Sequence, residues 1–371
     1  MIEPGRIRVW DARDPVDYEA WVSLWYSSPD REPAAHPGYV RLFAAPDERP
    51  LCLVFRWHDG GNVLYPLIER DLARLAYPTG LVESAVDLIT PYGYGGPLAW
   101  GSPDPDGLAA AYWAAHDAEM VRRSAVTEFA RLSLAQDTLL PFPVDLTVRG
   151  RNVVRSLAPT DDELWRGVDH KVRKNVNKAV RSGLTVEIDG DGRRLETFLR
   201  LYHGTMDRRA AGVGYYFDAG FFDALNRDLA GRIAYAFTIA GGEAVSTELI
   251  LISADRVYSF LGGTDASAFD LRPNDLLKYE VARWAKAAGK SAYVLGGGRE
   301  PEDGIFRYKL AFAPTGAVPF HTAERIHDPR LFRQLAHDWS ARAGHDAADG
   351  STFFPPYRRP APPPGDIQPG P

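Results

Sequence analysis

The sequence is poor in cysteine. Cys52 stands alone among 371 residues, which excludes internal disulfides and fits a reducing compartment. It lies in the apolar run Leu51 to Phe55, where a buried small hydrophobe is expected rather than a nucleophile. Long apolar runs are missing as well. No stretch approaches the roughly 18 residues that a membrane-spanning helix needs, and the opening MIEPGRIRVW is too polar for a secretion signal. A cytoplasmic protein with no transmembrane segment is therefore expected. Nor is there an excess of positive charge: the net charge of −6 argues against a generic nucleic-acid coat protein, yet leaves room for a local basic surface. Paired histidines or cysteines at metal-binding spacing and a G-x-S-x-G elbow do not occur in the sequence, so nothing points to metal or serine-hydrolase chemistry.

What is present is enough chain for two domains, with 45% hydrophobic and 25% charged residues, an ordinary globular balance. The expected division is residues 1–160, residues 161–343 and a tail at 344–371. The tail ends PPYRRPAPPPGDIQPGP, and proline at that density predicts a disordered or extended segment. In the first half, strands are predicted at Tyr39–Ala44, Leu51–Trp57, Asn62–Leu67 and Thr127–Leu134, with a helix over Asp106–Arg123. The loop TPYGYGGPL, Thr90 to Leu98, carries Tyr92 and Tyr94. It is either a site-lining loop or a tight turn whose tyrosines cap the core.

The second half has a clearer order. A strand at Leu184–Ile188 precedes a helix over Arg194–Arg208 and a second helix capped by Asp218. A hairpin follows, Ile233–Ile239 and Ala244–Ile252, turning on Gly241 and Gly242. Then come a strand at Arg256–Leu261, a helix capped by Asn274 and stopped by Gly289, and a strand at Ser291–Leu295. The run GIFRYKLAF, Gly304 to Phe312, forms a further helix with Ile305, Tyr308 and Phe312 on one stripe. Lys309 lies beside that stripe, either as a snorkelling lysine or as a placed cation. A last short strand is expected at Val318–Phe320.

This order resembles that of a GNAT (Gcn5-related N-acetyltransferase) acyltransferase domain, which implies a mixed α/β fold with a twisted, mostly antiparallel sheet. In such domains the fourth and fifth strands splay and the acyl donor lies in the gap. Here both candidate strands run into glycine, which lets a ligand approach closely. A donor groove is thus expected at Phe260, Gly262, Gly263, Thr264, Gly296 and Gly297. Coenzyme A is normally gripped by a glycine-rich loop that opens the helix after the fourth strand. At that place the chain reads Leu271-Arg272-Pro273-Asn274-Asp275: no glycine, one backbone donor lost to proline, and an acid in the first turn. That weakens the coenzyme A reading.

Two stretches narrow the resemblance. Asp169 to Val186 reads DHKVRKNVNKAVRSGLTV, and Phe306-Arg307-Tyr308-Lys309 is followed by Phe312 and Gly316. With TPYGYGGPL, SFLGGTD and LGGG, they resemble the Fem family, tandem GNAT-fold enzymes that transfer amino acids from aminoacyl-tRNA to the peptide of cell-wall precursors. From Arg166 to Arg181 there are six cations and one acid; Lys171, Lys174 and Lys178 share a helix face, and Val172, Val176 and Val180 form the opposing seam. A one-sided basic helix suits a polyanion or is simply a solvated face. The resemblance implies that Arg173, with Lys174, faces the acceptor's phosphates. It further implies that Lys309 stabilises the oxyanion at the donor ester and that Tyr308 contacts the terminal adenosine. Arg208 and Tyr216, with Tyr92 and Tyr94, are placed on the substrate side. Glu248 is a candidate base for the attacking amine, although its place on a strand also allows it to face solvent. No long helical arm like that of several Fem enzymes is present in the pattern, so the acceptor is either a peptidoglycan precursor or a small-molecule amine. The expected activity is aminoacyl transfer from the acceptor end of aminoacyl-tRNA to that amine, with no cofactor. The alternative is an N-acyltransferase that uses acyl-coenzyme A as donor substrate.

Overall fold

A computed structural model of the chain describes residues 5–75, 77, 84–300, 302–344 and 352–360. The chain forms two compact units that interleave along the sequence. Unit 1 is built from Met1–Ser23, Phe43–Thr147 and His321–Pro371; unit 2 from Leu24–Leu42 and Val148–Phe320. A single cut at residue 160 is therefore not where the compact units divide.

The first elements in chain order are β1 (Arg8–Asp11), α1 (Pro15–Ser27), α2 (Pro37–Phe43), β2 (Arg49–Arg56), β3 (Asn62–Asp71), β4 (Val86–Ile89), β5 (Leu98–Trp100), α3 (Pro105–Arg122) and β6 (Ala125–Arg131). In unit 1, β1, β2, β3 and β4 form an antiparallel ladder, with Trp10 opposite Cys52 and Ile68 opposite Ile89. β4 then pairs parallel with β6, the two joined by the crossover helix α3. Leu51 to Phe55 are all buried, as in a sheet covered on both faces. Helix α3 starts on Asp104, whose side chain accepts from the Gly107 amide, with Pro105 in the first turn. It buries Leu108, Tyr112, His116 and Met120, one stripe at i, i+4, i+8 and i+12.

The chain continues with β7 (Thr147–Ser156), α4 (Asp161–Arg166), α5 (His170–Arg181), β8 (Thr185–Asp189), α6 (Leu195–Arg208), α7 (Ala219–Asp228), β9 (Ile233–Ala240), β10 (Glu243–Ile252), β11 (Arg256–Thr264), α8 (Pro273–Ala287), β12 (Ala292–Gly296), α9 (Gly304–Leu310), β13 (Ala317–Ile326) and α10 (Pro329–Ala343). Unit 2 repeats the plan of unit 1. β8, β9, β10 and β11 form an antiparallel ladder, and β11 pairs parallel with β12 through the crossover helix α8. Each sheet is completed by a strand from a distant part of the sequence. β7 pairs antiparallel with β12 in unit 2, and Thr322–Ile326 of β13 pair antiparallel with β6 in unit 1.

The β11–β12 pairing is short. It joins Arg256 to Ala292, Val257 to Tyr293 and Tyr258 to Val294, and stops there. β11 carries on to Thr264 against β10, while β12 follows β7 through a bulge between Val294 and Gly296. The two strands part beyond Tyr258 and Val294.

Four expectations are corrected. Tyr39–Ala44 is not a strand: Pro37 opens helix α2, and its fixed φ overrides the local β preference of Tyr-Val. On α5 the buried residues are Val172, Val176 and Ala179, while Val180 is exposed; position i+7 from Val172, not i+8, falls on the buried stripe. α8 is capped by Arg272 in a left-handed conformation, with Asn274 inside the first turn. Residues 352–360 of the proline-rich tail are packed rather than disordered: Tyr357 is fully buried, Arg358 pairs with Asp87 at 2.9 Å, and Trp339 donates to the Arg359 carbonyl. The aromatic and arginine residues there supply the partners that proline lacks. Residues 345–351 and 361–371 lie outside the described residues.

The glycines of β11 serve close packing within unit 2. A Cβ on Gly263 meets the Leu201 carbonyl oxygen of α6 at 2.2 Å, and one on Gly262 meets the Thr247 carbonyl at 2.6 Å. Both obstacles are backbone and cannot swing aside. Gly263→Ala is expected to destabilise unit 2 by about 3 kcal/mol, read as a lower denaturant midpoint with tryptophan fluorescence.

Candidate active site

Helix α9 follows the Gly-rich end of β12. Asp303 caps it, accepting the Phe306 amide at 2.7 Å and the Arg299 amide at 2.8 Å. Phe306 and Phe312 are its buried anchors, whereas Ile305 is exposed, so the apolar stripe is turned one residue from the Ile305–Tyr308–Phe312 line. Arg307 faces solvent. Lys309 does not. Its ammonium donates to the Gly297 carbonyl at 2.7 Å, just past the point where β11 and β12 part. Burial lowers its proton affinity to about 8, helped by the neighbouring Lys278 and opposed by Glu248 and Asp303. Gly297 has little room for a side chain, since a Cβ there meets the Arg151 carbonyl at 3.0 Å. Tyr308 packs edge-on to Phe312 with centroids 5.3 Å apart. Its hydroxyl is buried with no hydrogen-bond partner among the described residues, and burial raises its proton affinity well above the phenol value.

Behind Lys309 lies a polar cluster in an apolar surround. Glu248 on β10 is 2% exposed, which settles its direction: it faces inward. Its Oε1 accepts from Lys278 Nζ at 2.7 Å and from the Tyr293 hydroxyl at 2.5 Å. Lys278 also donates to Ser259 Oγ at 2.6 Å. The other Glu248 oxygen is buried with no partner among the described residues. Burial, and then the Glu248 charge, push the Tyr293 phenol well up. The four side chains come from β10, β11, α8 and β12, and so bridge the strands that diverge.

The N-terminus of α8 is closed by its own chain. Arg272 has φ of 63°, Pro273 occupies the first turn, and Asp275 is buried and accepts from Asn175 Nδ2 at 3.0 Å. Burial raises the Asp275 carboxyl above its ordinary value, against the Asn175 hydrogen bond and the Arg272 charge. A carboxylate thus stands where a diphosphate would need bare amides.

The remaining predicted residues are spread out. On α5, Lys171, Lys174 and Lys178 are exposed, but the Arg173 guanidinium turns back to the Arg166 carbonyl at 2.9 Å and to that of Val168, where it holds the end of α4. Arg208 donates to Thr205 Oγ1 at 3.2 Å and stacks on Phe269; the Tyr216 hydroxyl donates to Asp207 at 3.0 Å. Phe260 lies against Tyr39, with centroids 6.2 Å apart, and Thr264 Oγ1 pairs with Ser246 Oγ at 2.7 Å. Gly296 has φ of 82°, a turn that glycine tolerates. Tyr92 and Tyr94 belong to unit 1, where Tyr92 stacks on Phe43 and burial raises the Tyr94 phenol.

Residues 166–310 match the acetyltransferase (GNAT) domain family. Among solved structures, the chain is similar to FemX, with a TM-score of 0.62 and 14% identity, over 85% of this chain and 97% of that one. The fold is that of FemX. A Bacteroides thetaiotaomicron protein of unknown function is similar to this chain at TM-score 0.52 and 12% identity, over 86% of this chain and 98% of that one. The C-terminal domain of a protein named lysylphosphatidylglycerol synthetase from Agrobacterium fabrum aligns at TM-score 0.50 and 13% identity, over 84% and 93%. No curated protein sequence matches the chain. The mixed α/β fold and the GNAT domain in the second half agree with the expectation from the sequence. Among the described residues no group of three or more metal-ligating side chains is placed to hold an ion, and no helix is long and apolar enough to cross a membrane.

Sequence reasoning missed Lys278, Tyr293 and Ser259. A signal was available in Leu276-Leu277-Lys278-Tyr279-Glu280-Val281, where a lysine occupies a position flanked by the buried stripe of α8. Removing it leaves a buried carboxylate uncompensated. Lys278→Met is expected to lose about 3–5 kcal/mol of stability, and Lys278→Met/Glu248→Leu to recover most of it, measured by chemical denaturation.

Proposed function

We propose that the protein is an aminoacyltransferase that moves an amino acid from the acceptor end of aminoacyl-tRNA to an amine, on a peptidoglycan precursor or a small molecule. The observation that carries this reading is the half-buried ammonium of Lys309 seated on the Gly297 carbonyl beyond the parting of β11 and β12. A cation held there, in surroundings drier than water, stabilises negative charge as it develops on an attacked carbonyl oxygen. The acceptor nitrogen attacks the ester carbon, the oxygen turns towards Lys309, and the ribose hydroxyl departs. The ester is already activated, so no further group has to be supplied.

The choice of donor rests on α8. Its first turn carries proline and a buried carboxylate, which disfavours the diphosphate of coenzyme A by both lost donors and like charge. The exposed lysines of α5 offer the opposite sign to a phosphate backbone. Tyr308, next to Lys309 in sequence and with a buried hydroxyl that has no partner among the described residues, is our candidate for contact with the terminal adenosine. Arg173 has a structural partner already, so Lys171, Lys174 and Lys178 are the better candidates for phosphate contact.

The test is a donor comparison. Labelled aminoacyl-tRNA mixtures are expected to give up label to an amine acceptor, and labelled acetyl-coenzyme A to remain intact; the reverse pattern defeats the reading. Lys309→Ala is expected to lower kcat/KM by roughly 10²–10³-fold while the thermal midpoint stays near that of the parent protein.

A further inference from the structure

Unit 1 holds a buried polar network that the transfer reaction leaves unused. At its centre is Glu128 on β6, which is 1% exposed. The Tyr65 hydroxyl donates to its Oε1 at 2.8 Å. Its Oε2 faces His116 Nε2 at 2.9 Å and His327 Nε2 at 3.2 Å. Burial opposes charge on this carboxyl, but the two imidazoles outweigh it and hold the group well below the usual carboxylate range. An ionised carboxylate only accepts, so His327 carries its proton on Nε2. The Nδ1 of His116 is taken up by the Arg325 guanidinium at 3.0 Å. The Nδ1 of His327 has no partner among the described residues, although that side chain is only 9% exposed.

His327 forms part of the wall of a cavity of about 730 Å³ within unit 1, a volume typical of small-molecule sites. Asp117, Val121, Ile326, Asp328 and Leu331 line it too. Both carboxylates have an oxygen to spare. Asp117 Oδ1 accepts from Arg325 at 2.7 Å and Asp328 Oδ1 from the Leu331 amide at 2.9 Å. Neither Oδ2 has a partner among the described residues. The cations of the cavity are less available. Arg325 is paired with Asp117 and stacked on Trp113, 4.8 Å from the ring centroid. Arg330 is exposed, where water and salt screen its charge. Val121 and Ile326 present apolar surface to solvent, which favours a ligand that covers it.

We propose that this cavity of unit 1 is a binding site for a primary ammonium with an apolar body, recognised by His327, Asp117 and Asp328. An ammonium has three N–H donors and no acceptor. The cavity offers the matching set, the Nδ1 lone pair of His327 and the two Oδ2 atoms. A carboxylate or phosphate would set further acceptors against these, with only a screened arginine in compensation. A hydroxyl would satisfy one acceptor and leave the carboxylate charges unanswered. The apolar body covers Val121 and Ile326. Glu128 acts through His327: by keeping the proton on Nε2 it keeps Nδ1 an acceptor. The site is built wholly from unit 1 and does not rest on the donor assigned to Lys309.

The test compares ligands of one shape and different charge: phenethylamine, phenethyl alcohol and 3-phenylpropionate. Each is titrated into the full chain at about pH 8, where free imidazoles are neutral. Phenethylamine is expected to bind with a dissociation constant below about 1 mM, and the alcohol and the carboxylate roughly tenfold or more weakly. In long-range ¹H–¹⁵N spectra the His327 Nδ1 resonance, assigned by its loss in His327→Gln, is expected to move upfield as the amine is added. Asp117→Asn is expected to weaken the amine about tenfold and to leave the alcohol unchanged. Should that variant lower the thermal midpoint, Asp328→Ser, which keeps a helix cap, takes its place with the same expectation. No saturable binding of the amine, equal affinity for amine and carboxylate, or an Nδ1 resonance that the amine does not move overturns the proposal. So does an amine affinity that both substitutions leave intact.

Discussion

The Lys278–Glu248 pair is the contact on which unit 2 turns. Parallel strands β11 and β12 share only three residue pairs before they separate, and a sheet opened in that way exposes backbone and side-chain polar groups to a gap. A hydrophobic plug would close the gap. A salt bridge with hydroxyl partners on both strands keeps the strands related while leaving a polar floor. The cost is real: two charges are withdrawn from water, and only good geometry offsets the desolvation. Here the geometry is good, with Ser259 and Tyr293 supplying the remaining hydrogen bonds. Two members of that cluster, Lys278 and Glu248, also act on the Lys309 ammonium with opposite sign, behind the larger effect of its burial.

Helix α9 illustrates how packing and chemistry are divided between adjacent residues. Phe306 and Phe312 anchor it in the core, Asp303 satisfies its first amides, and Lys309 is carried to Gly297 on a helix only seven residues long. Such a helix has little stability of its own. Its orientation is fixed by the two phenylalanines and the cap, which is why a lysine one residue away from the buried line reaches a carbonyl rather than solvent. The α8 N-terminus shows the opposite use of a helix end, where Asp275 and Asn175 close the amide-rich turn from within.

Much of this was legible in the sequence, and the failures have physical causes. Caps and turns were readable because they are local: Asp218 and the Gly241–Gly242 turn lie where the pattern put them. The crossover helices and the hairpin were readable from periodicity. The inward direction of Glu248 was not, because alternation along a strand buried on both faces carries no sign of which polar residue has a partner. The partner, Lys278, is thirty residues away in sequence and becomes meaningful only when α8 lies over β10. Gly262 and Gly263 looked like openings for a ligand. They are openings for the chain itself, and a sequence cannot distinguish one close approach from another. The packed 352–360 segment was hidden for a similar reason: its prolines argue for an extended backbone, which is compatible with burial once Tyr357 finds a pocket.

The interleaved strands bear on how the protein comes into being. During synthesis the chain emerges from its first residue onward, and domains generally fold as they appear. Unit 1 cannot follow that course to the end. Strand β6 is made by residue 131, yet its antiparallel neighbour, Thr322–Ile326, leaves the ribosome almost two hundred residues later. Until then one edge of the unit 1 sheet stays unpaired, with free amides and carbonyls along it. Strands β7 to β12 of unit 2 are made in that interval. The segment of unit 2 from Val148 to Phe320, which carries Lys309, is therefore made before Thr322–Ile326 can complete the unit 1 sheet.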